Sequence, residues 1–160
     1  MMGDTVIFTS LDPYRFRISG RTKHFINVFG EEVIVDNAEK ALDTACKKTG
    51  ALIRDYTAGP VFMSTTEKGS HEWLIEFDKE PSDLNIFTEA LDEALKSVNS
   101  DYEAKRHKDL NLIRPVVRSL PRESFNKWLI SKNKFGGQNK VPRLSNSRVY
   151  IEELYLIANI

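Results

Sequence analysis

The sequence holds a single cysteine, Cys46, among 160 residues. A lone thiol supports neither an intramolecular disulfide nor a cysteine-built zinc site, which excludes the secreted disulfide scaffold and the zinc finger and leaves the reducing cytoplasm as the expected compartment. Long apolar runs are missing too. Nothing approaches the roughly 18 uninterrupted apolar residues of a membrane span, and Met1-Met2-Gly3-Asp4 has no basic segment leading into an apolar one, so neither membrane nor export is expected. Nor is there an excess of one charge. Lysine and arginine, 23 together, balance 23 aspartates and glutamates, leaving no global field to draw in a nucleic acid. His24, His71 and His107 lack metal-ligand spacing, so no metal site is expected on the chain. No internal repeat, low-complexity tract or Gly/Ser linker divides it.

What is present suits one compact domain. Hydrophobic residues make up 41% and charged residues 29%, and a chain of this length buries about 70% of its unfolded surface. The opening reads as antiparallel strands: Val6, Ile7 and Phe8, a turn at Leu11-Asp12-Pro13, then Tyr14-Arg15-Phe16-Arg17-Ile18, with further extended pieces at 24–29 and 33–35. Asp36, with Glu39 three residues on, predicts a capped helix whose stripe is Ala38, Ala41, Leu42, Ala45 and Cys46 and whose left-handed cap is Gly50. On that stripe Cys46 reads as a small core residue.

Strands are then predicted over 52–57, 61–65 and 71–77, the last two joined by a turn at 66–70. Pro81-Ser82-Asp83 opens a helix with the stripe Leu84, Phe87, Leu91, Ala94, Leu95 and Val98. Ser100 is read as the cap of a short helix through about Lys108, whose basic Lys105-Arg106-His107-Lys108 cluster reads as a solvated face. A strand at 113–117, a helix after Pro121 with Phe125, Trp128 and Leu129, and a final helix with Val149, Leu154 and Ile157 complete the chain. Trp73 and Trp128, set in apolar runs, are expected in the core. The class is α+β, a mixed, largely antiparallel sheet with helices packed on it in a single small domain.

Two loops are basic and glycine-bearing where their neighbours are apolar: Ser19-Gly20-Arg21-Thr22-Lys23-His24 and Phe135-Gly136-Gly137-Gln138-Asn139-Lys140-Val141-Pro142-Arg143. Glycine admits close backbone approach, and lysine and arginine donate to phosphate or carboxylate, although a solvated turn has the same composition.

The residues also carry a resemblance. Gly3-Asp4-Thr5-Val6, Tyr14-Arg15-Phe16 and Ser19-Gly20-Arg21-Thr22-Lys23-His24-Phe25-Ile26-Asn27-Val28-Phe29-Gly30-Glu31 resemble the crossover from the large to the small domain of adenylate-forming enzymes. His71-Glu72-Trp73-Leu74-Ile75-Glu76-Phe77, Asn99-Ser100-Asp101-Tyr102-Glu103-Ala104-Lys105-Arg106 and Gly136-Gly137-Gln138-Asn139-Lys140-Val141-Pro142-Arg143-Leu144 are similar to the C-terminal domain of the Gretchen Hagen auxin-responsive family of acyl-acid amido synthetases. The resemblance runs in order along nearly the whole chain, and its last run is the most specific.

It implies a mobile C-terminal domain over 1–160 with 1–30 as crossover or hinge, partnered by a large N-terminal adenylation domain. The implied chemistry joins a carboxylic acid to ATP as an acyl-adenylate, releases pyrophosphate, and passes the acyl group to an amino acid. ATP and Mg2+ are the cofactors this implies for the complete enzyme. By the same resemblance Asp4 holds the ribose hydroxyls, Arg21 lies by the ribose, Lys23 lies by the α-phosphate or at the hinge, and Lys140 reaches the reacting carboxylate and phosphate in the closed state. The phosphate-gripping loop, the acyl pocket and most adenine contacts of that family belong to the large domain. A fragment of a longer ligase, or the product of a split gene, is therefore expected, silent by itself. The alternative is a stand-alone, non-catalytic α+β module that uses the basic loops to hold a small anion or a protein partner.

Overall fold

The computed structural model describes residues 4–21, 24–65, 68–109, 111–134 and 140–160, with the backbone alone for 4, 5 and 17–21. Strands β1 (Asp4–Leu11) and β2 (Tyr14–Arg21) form an antiparallel hairpin, and the short β3 (Phe25–Ile26) and β4 (Val33–Ile34) pair likewise. Helix α1 (Val35–Thr49) leads into β5 (Leu52–Val61) and β6 (Ser70–Lys79). Helices α2 (Leu84–Val98) and α3 (Ser100–Arg106), strand β7 (Val116–Leu120), and helices α4 (Ser124–Ser131) and α5 (Val149–Ala158) follow. The central sheet has the order β5-β6-β7, antiparallel between β5 and β6 and parallel between β6 and β7. This is the mixed α+β architecture expected. Among the described residues no helix is long and apolar enough to cross a membrane.

Alternation along β6 divides the molecule into two cores, because successive strand side chains point to opposite faces. Trp73, Ile75 and Phe77 pack with Ala38, Ala41 and Leu42 of α1 and with Phe87, Leu91 and Leu95 of α2. Leu74 faces the other way, against Phe125 and Trp128 of α4 and Ile151 and Leu154 of α5. Leu91 is fully buried, and burying a leucine stabilises by about 1.5–3 kcal/mol. Both tryptophans lie in these cores, as the sequence predicts.

Several local expectations need correction. Helix α1 begins at Val35, one residue before the predicted Asp36 start, and Asn37 Oδ1 accepts the Ile34 amide at 3.1 Å. Asp36 pairs instead with Lys40 at 2.8 Å, and Glu39 accepts the Tyr56 hydroxyl at 2.8 Å. Gly50 does cap the helix, at φ 70° with its amide on Cys46 O. Asp83 caps α2 as predicted, taking the amides of Asn85 and Ile86. For α3 the capping side chain is Asn99, which accepts the Tyr102 amide, while Ser100 is already helical.

The basic run at the end of α3 is not a solvated face throughout. Arg106 is buried, donating to Asp92 through Nε at 2.8 Å and Nη2 at 2.7 Å, and to Leu112 O through Nη1 at 2.9 Å. Tyr102 adds its hydroxyl to Asp92 at 2.8 Å. A buried charge is tolerable only when paired and hydrogen-bonded in this way.

Candidate functional site

The family-like loop ends in a segment that acts as an added rung of the sheet. Leu144 bridges Ala58 of β5 in parallel; the Ala58 amide donates to Arg143 O at 2.9 Å and the Ser145 amide to Ala58 O at 3.0 Å. Thr57 Oγ1 donates to Pro142 O at 2.7 Å. Val141 is buried in the α4/α5 core, whereas Lys140, one residue earlier, is exposed. The backbone is thus anchored up to the residue beside the lysine, and the lysine itself is left reaching outward.

Arg143 locks the segment from the side. Its guanidinium lies 4.6 Å from the Tyr56 ring centroid, ion-pairs with Asp55 and donates to Tyr56 O at 3.2 Å. A guanidinium on an aromatic face gains both electrostatic and stacking contact. Tyr56 is held in turn by Glu39 of α1. Burial first, then the charge of Glu39 and the hydrogen bond to it, push the Tyr56 hydroxyl pKa far up, so it remains a donor.

The other sequence-derived positions lie at the hairpin. Asp4 and Arg21 are register partners at its open end; their side chains, and Lys23 altogether, lie outside the described residues, as do 135–139 of the second loop. The hairpin carries Phe8, Tyr14 and Phe16 at 57%, 77% and 64% exposure, with Phe8 edge-on to both other rings. Among the described residues no group of three or more His, Cys, Asp or Glu side chains is arranged to hold a metal.

Sequence reasoning did not single out Asp55 or Tyr56, took Glu39 only for a helix-capping residue, and did not single out a second polar cluster on the α4/α5 face. There Glu72 collects Arg118, Arg148 and Tyr155, while Glu76 accepts the Glu123 amide at 2.8 Å and the Phe125 amide at 3.3 Å at the start of α4. The signal was present: Glu72 and Glu76 interrupt an apolar run at a spacing that puts both on the same strand face as Leu74.

A family model described as the GH3 family C-terminal domain matches residues 36–149. In fold, the chain is similar to a solved GH3.15 acyl acid amido synthetase with a TM-score of 0.73 and 19% identity, over 98% of this chain and 29% of that one. A second solved structure, AtGH3.15 acyl acid amido synthetase in complex with 2,4-DB, aligns with a TM-score of 0.70 and 18% identity, over 96% of this chain and 29% of that one. No curated protein matches the sequence. The chain spans under a third of each solved relative. With the family pattern covering most of its length, this chain belongs to the GH3 family, in which it corresponds to the C-terminal domain.

Proposed function

We propose that the domain serves an ATP-dependent acyl-acid amido synthetase as its smaller, mobile part, over 1–160 with the hairpin region 1–30 as crossover. The observation that carries this reading is an exposed lysine at the free end of a sheet-anchored segment, in a chain of this family. In the first half-reaction a substrate carboxylate oxygen attacks the α-phosphorus of ATP, the bond to the β-phosphate oxygen breaks, and pyrophosphate leaves. In the second, the amine of an amino acid attacks the acyl carbon, loses a proton and displaces AMP.

The chain's own part is electrostatic. Attack of an anion on an anion gathers negative charge that a fixed cation offsets most strongly in the transition state. Lys140, brought in by domain closure, supplies that cation, Lys23 contacts the α-phosphate or the hinge, and Asp4 and Arg21 hold the ribose. In the complete enzyme Mg2+ would accompany the ATP phosphates and offset part of their charge. The exposed aromatic face of the hairpin supports a large adenylation domain as the partner that covers it.

At about 4 Å and an effective dielectric of 20 a unit charge pair is worth roughly 4 kcal/mol, or about a thousandfold in rate. Lys140→Ala in the enzyme joining this domain to its adenylation domain is therefore expected to lower ATP–pyrophosphate exchange by about that factor. As an exposed side chain, Lys140 should change folding stability by no more than about 0.5 kcal/mol on truncation. Unchanged exchange would remove Lys140 from the reaction. The 160-residue chain alone is expected to show no exchange.

A further inference from the structure

A second charged site lies on the face of the sheet that carries Glu72, beside Arg148 and Tyr155 of the α5 region. A cavity of about 900 Å³ opens there, lined by Lys68, Asp109, Glu72, Arg118 and Arg148; Lys68 Nζ donates to Asp109 O at 2.6 Å. Val61, Ile113 and Val116 form its apolar floor.

Glu72 is the hub of this wall, with only 4% of its side chain exposed. Arg118 Nε donates to Oε1 at 2.7 Å, Arg148 Nη2 donates to Oε2 at 2.9 Å, and the Tyr155 hydroxyl also donates to Oε1. Burial alone would raise the Glu72 pKa, but these hydrogen bonds outweigh it and hold the carboxyl below its ordinary range. Glu72 is therefore an ionised fixture, not a vacant acceptor.

The two arginines differ. Arg148 is engaged on all sides, with Nη1 on Pro60 O at 3.0 Å and Nε on Glu152 at 2.7 Å besides its bond to Glu72. Arg118 donates to Glu72 through Nε and interacts with the Tyr155 hydroxyl, but more of its side chain meets solvent than that of Arg148, 53% against 24%. The Arg118 guanidinium carbon lies 5.9 Å from the Tyr155 ring centroid. A guanidinium pinned at one edge by a buried carboxylate and laid toward an aromatic ring presents its two terminal nitrogens ready for the paired oxygens of an oxyanion. Because the fork is already oriented, little ordering cost remains to oppose binding.

We propose that this cavity binds a small organic monocarboxylate, its carboxylate on Arg118 and its apolar body against Ile113 and Val116. The paired oxygens of a carboxylate match the Arg118 fork, and its organic body uses the apolar floor, which inorganic phosphate would leave empty. The cavity lies at the Val61 end of β5, beyond Thr57 and Ala58 where the Lys140 segment is anchored, so the proposal stands apart from the adenylation reading.

The test is an amide NMR titration of the 160-residue chain with hexanoate, run beside inorganic phosphate and hexanol. Expected are saturable hexanoate shifts confined to 113–119 and the neighbourhood of Tyr155, with at least tenfold weaker binding of phosphate and of hexanol. Arg118→Ala should weaken hexanoate binding at least tenfold, and Lys47→Ala, which removes an exposed cation elsewhere, should leave it unchanged. Arg118→Gln keeps a donor for Glu72 while removing the charged fork, and is expected to lose binding equally even if the alanine variant folds poorly. Non-saturating shifts, equal hexanoate affinity in both Arg118 variants and the parent, or phosphate or hexanol bound as tightly as hexanoate would each overturn the proposal.

Discussion

The two faces of the central sheet solve different problems with the same strand. On one, Trp73, Ile75 and Phe77 meet α1 and α2 in an apolar core. On the other, Leu74 is flanked by two buried carboxylates, Glu72 and Glu76, at 3% and 1% exposure. The first face is mainly complementary shape, with its buried charges paired off, His71 with Glu31 and Arg106 with Asp92. The second uses its carboxylates as tools: Glu76 receives the amides that start α4, and Glu72 gathers two arginines and a tyrosine from β7 and the α5 region. Val141, beside Lys140, packs on this same side. The difference teaches that one face is held mainly by apolar packing, with its buried charges paired off, while the other sets two carboxylates of a single strand to orient the groups packed on it.

Breaking the apolar face should cost most. Trp73→Ala removes a fully buried ring and is expected to destabilise by about 3–5 kcal/mol in urea unfolding; a loss under about 1 kcal/mol would mean that this face is not the main core. Glu76→Ala strips the Glu123 and Phe125 amides of their acceptor and should cost about 2 kcal/mol, with amide exchange accelerated in α4 rather than across the sheet. Glu72→Gln keeps an acceptor but loses its charge, and about 1.5 kcal/mol is expected from weakening hydrogen bonds to a charged group. Its arginines reach solvent, at 53% and 24% exposure, so neither is stranded.

Acid should have the smallest effect and act on both sides of the sheet, through Glu72 of β6 and through Asp92 of α2. Burial raises the pKa of Glu72 and of Asp92, but the hydrogen bonds each receives outweigh it and leave both lowered. A carboxyl with a lowered folded pKa binds fewer protons in the native state than in the unfolded one, so stability rises with pH across that interval. Its contribution is complete above the unfolded carboxylate range near about pH 4 and is lost as pH falls through the folded pKa. Unfolding free energy measured from pH 7 downward should stay level to about pH 5 and then decline, less steeply in Glu72→Gln. An identical slope in that variant would show that the charged face contributes nothing to acid sensitivity.

Much of this was legible in the chain. The Asp83 cap and the Leu84 to Val98 stripe predicted α2 because cap and periodicity agreed. The strands expected over 52–57 and 61–65 are one strand in the structure, β5, which runs through Gly59 and Pro60 and ends at Val61, with Pro60 opposite His71 and no strand over 62–65. On an edge strand a missing amide hydrogen costs the ladder little. The predicted strand over 24–29 shrinks to Phe25–Ile26 because side chains take its later amides, Asn146 Oδ1 that of Asn27 and Glu31 Oε2 that of Phe29, each at 2.7 Å. Lys140 was visible as part of a local motif. The Asp55, Tyr56 and Glu39 support behind Arg143, and the Glu72 cluster, were not, since their members come together only through tertiary folding.

The central claim is that this domain works within a larger ligase of its family, and the most direct measurement is the mass of the native polypeptide that carries it. Immunoprecipitation from expressing cells with an antibody to the domain, followed by intact mass measurement, provides that mass. The account predicts a polypeptide more than three times the 18.3 kDa of this chain, in keeping with the 29% of GH3.15 that it spans. A polypeptide of 18.3 kDa with no adenylation domain recovered beside it would contradict the account.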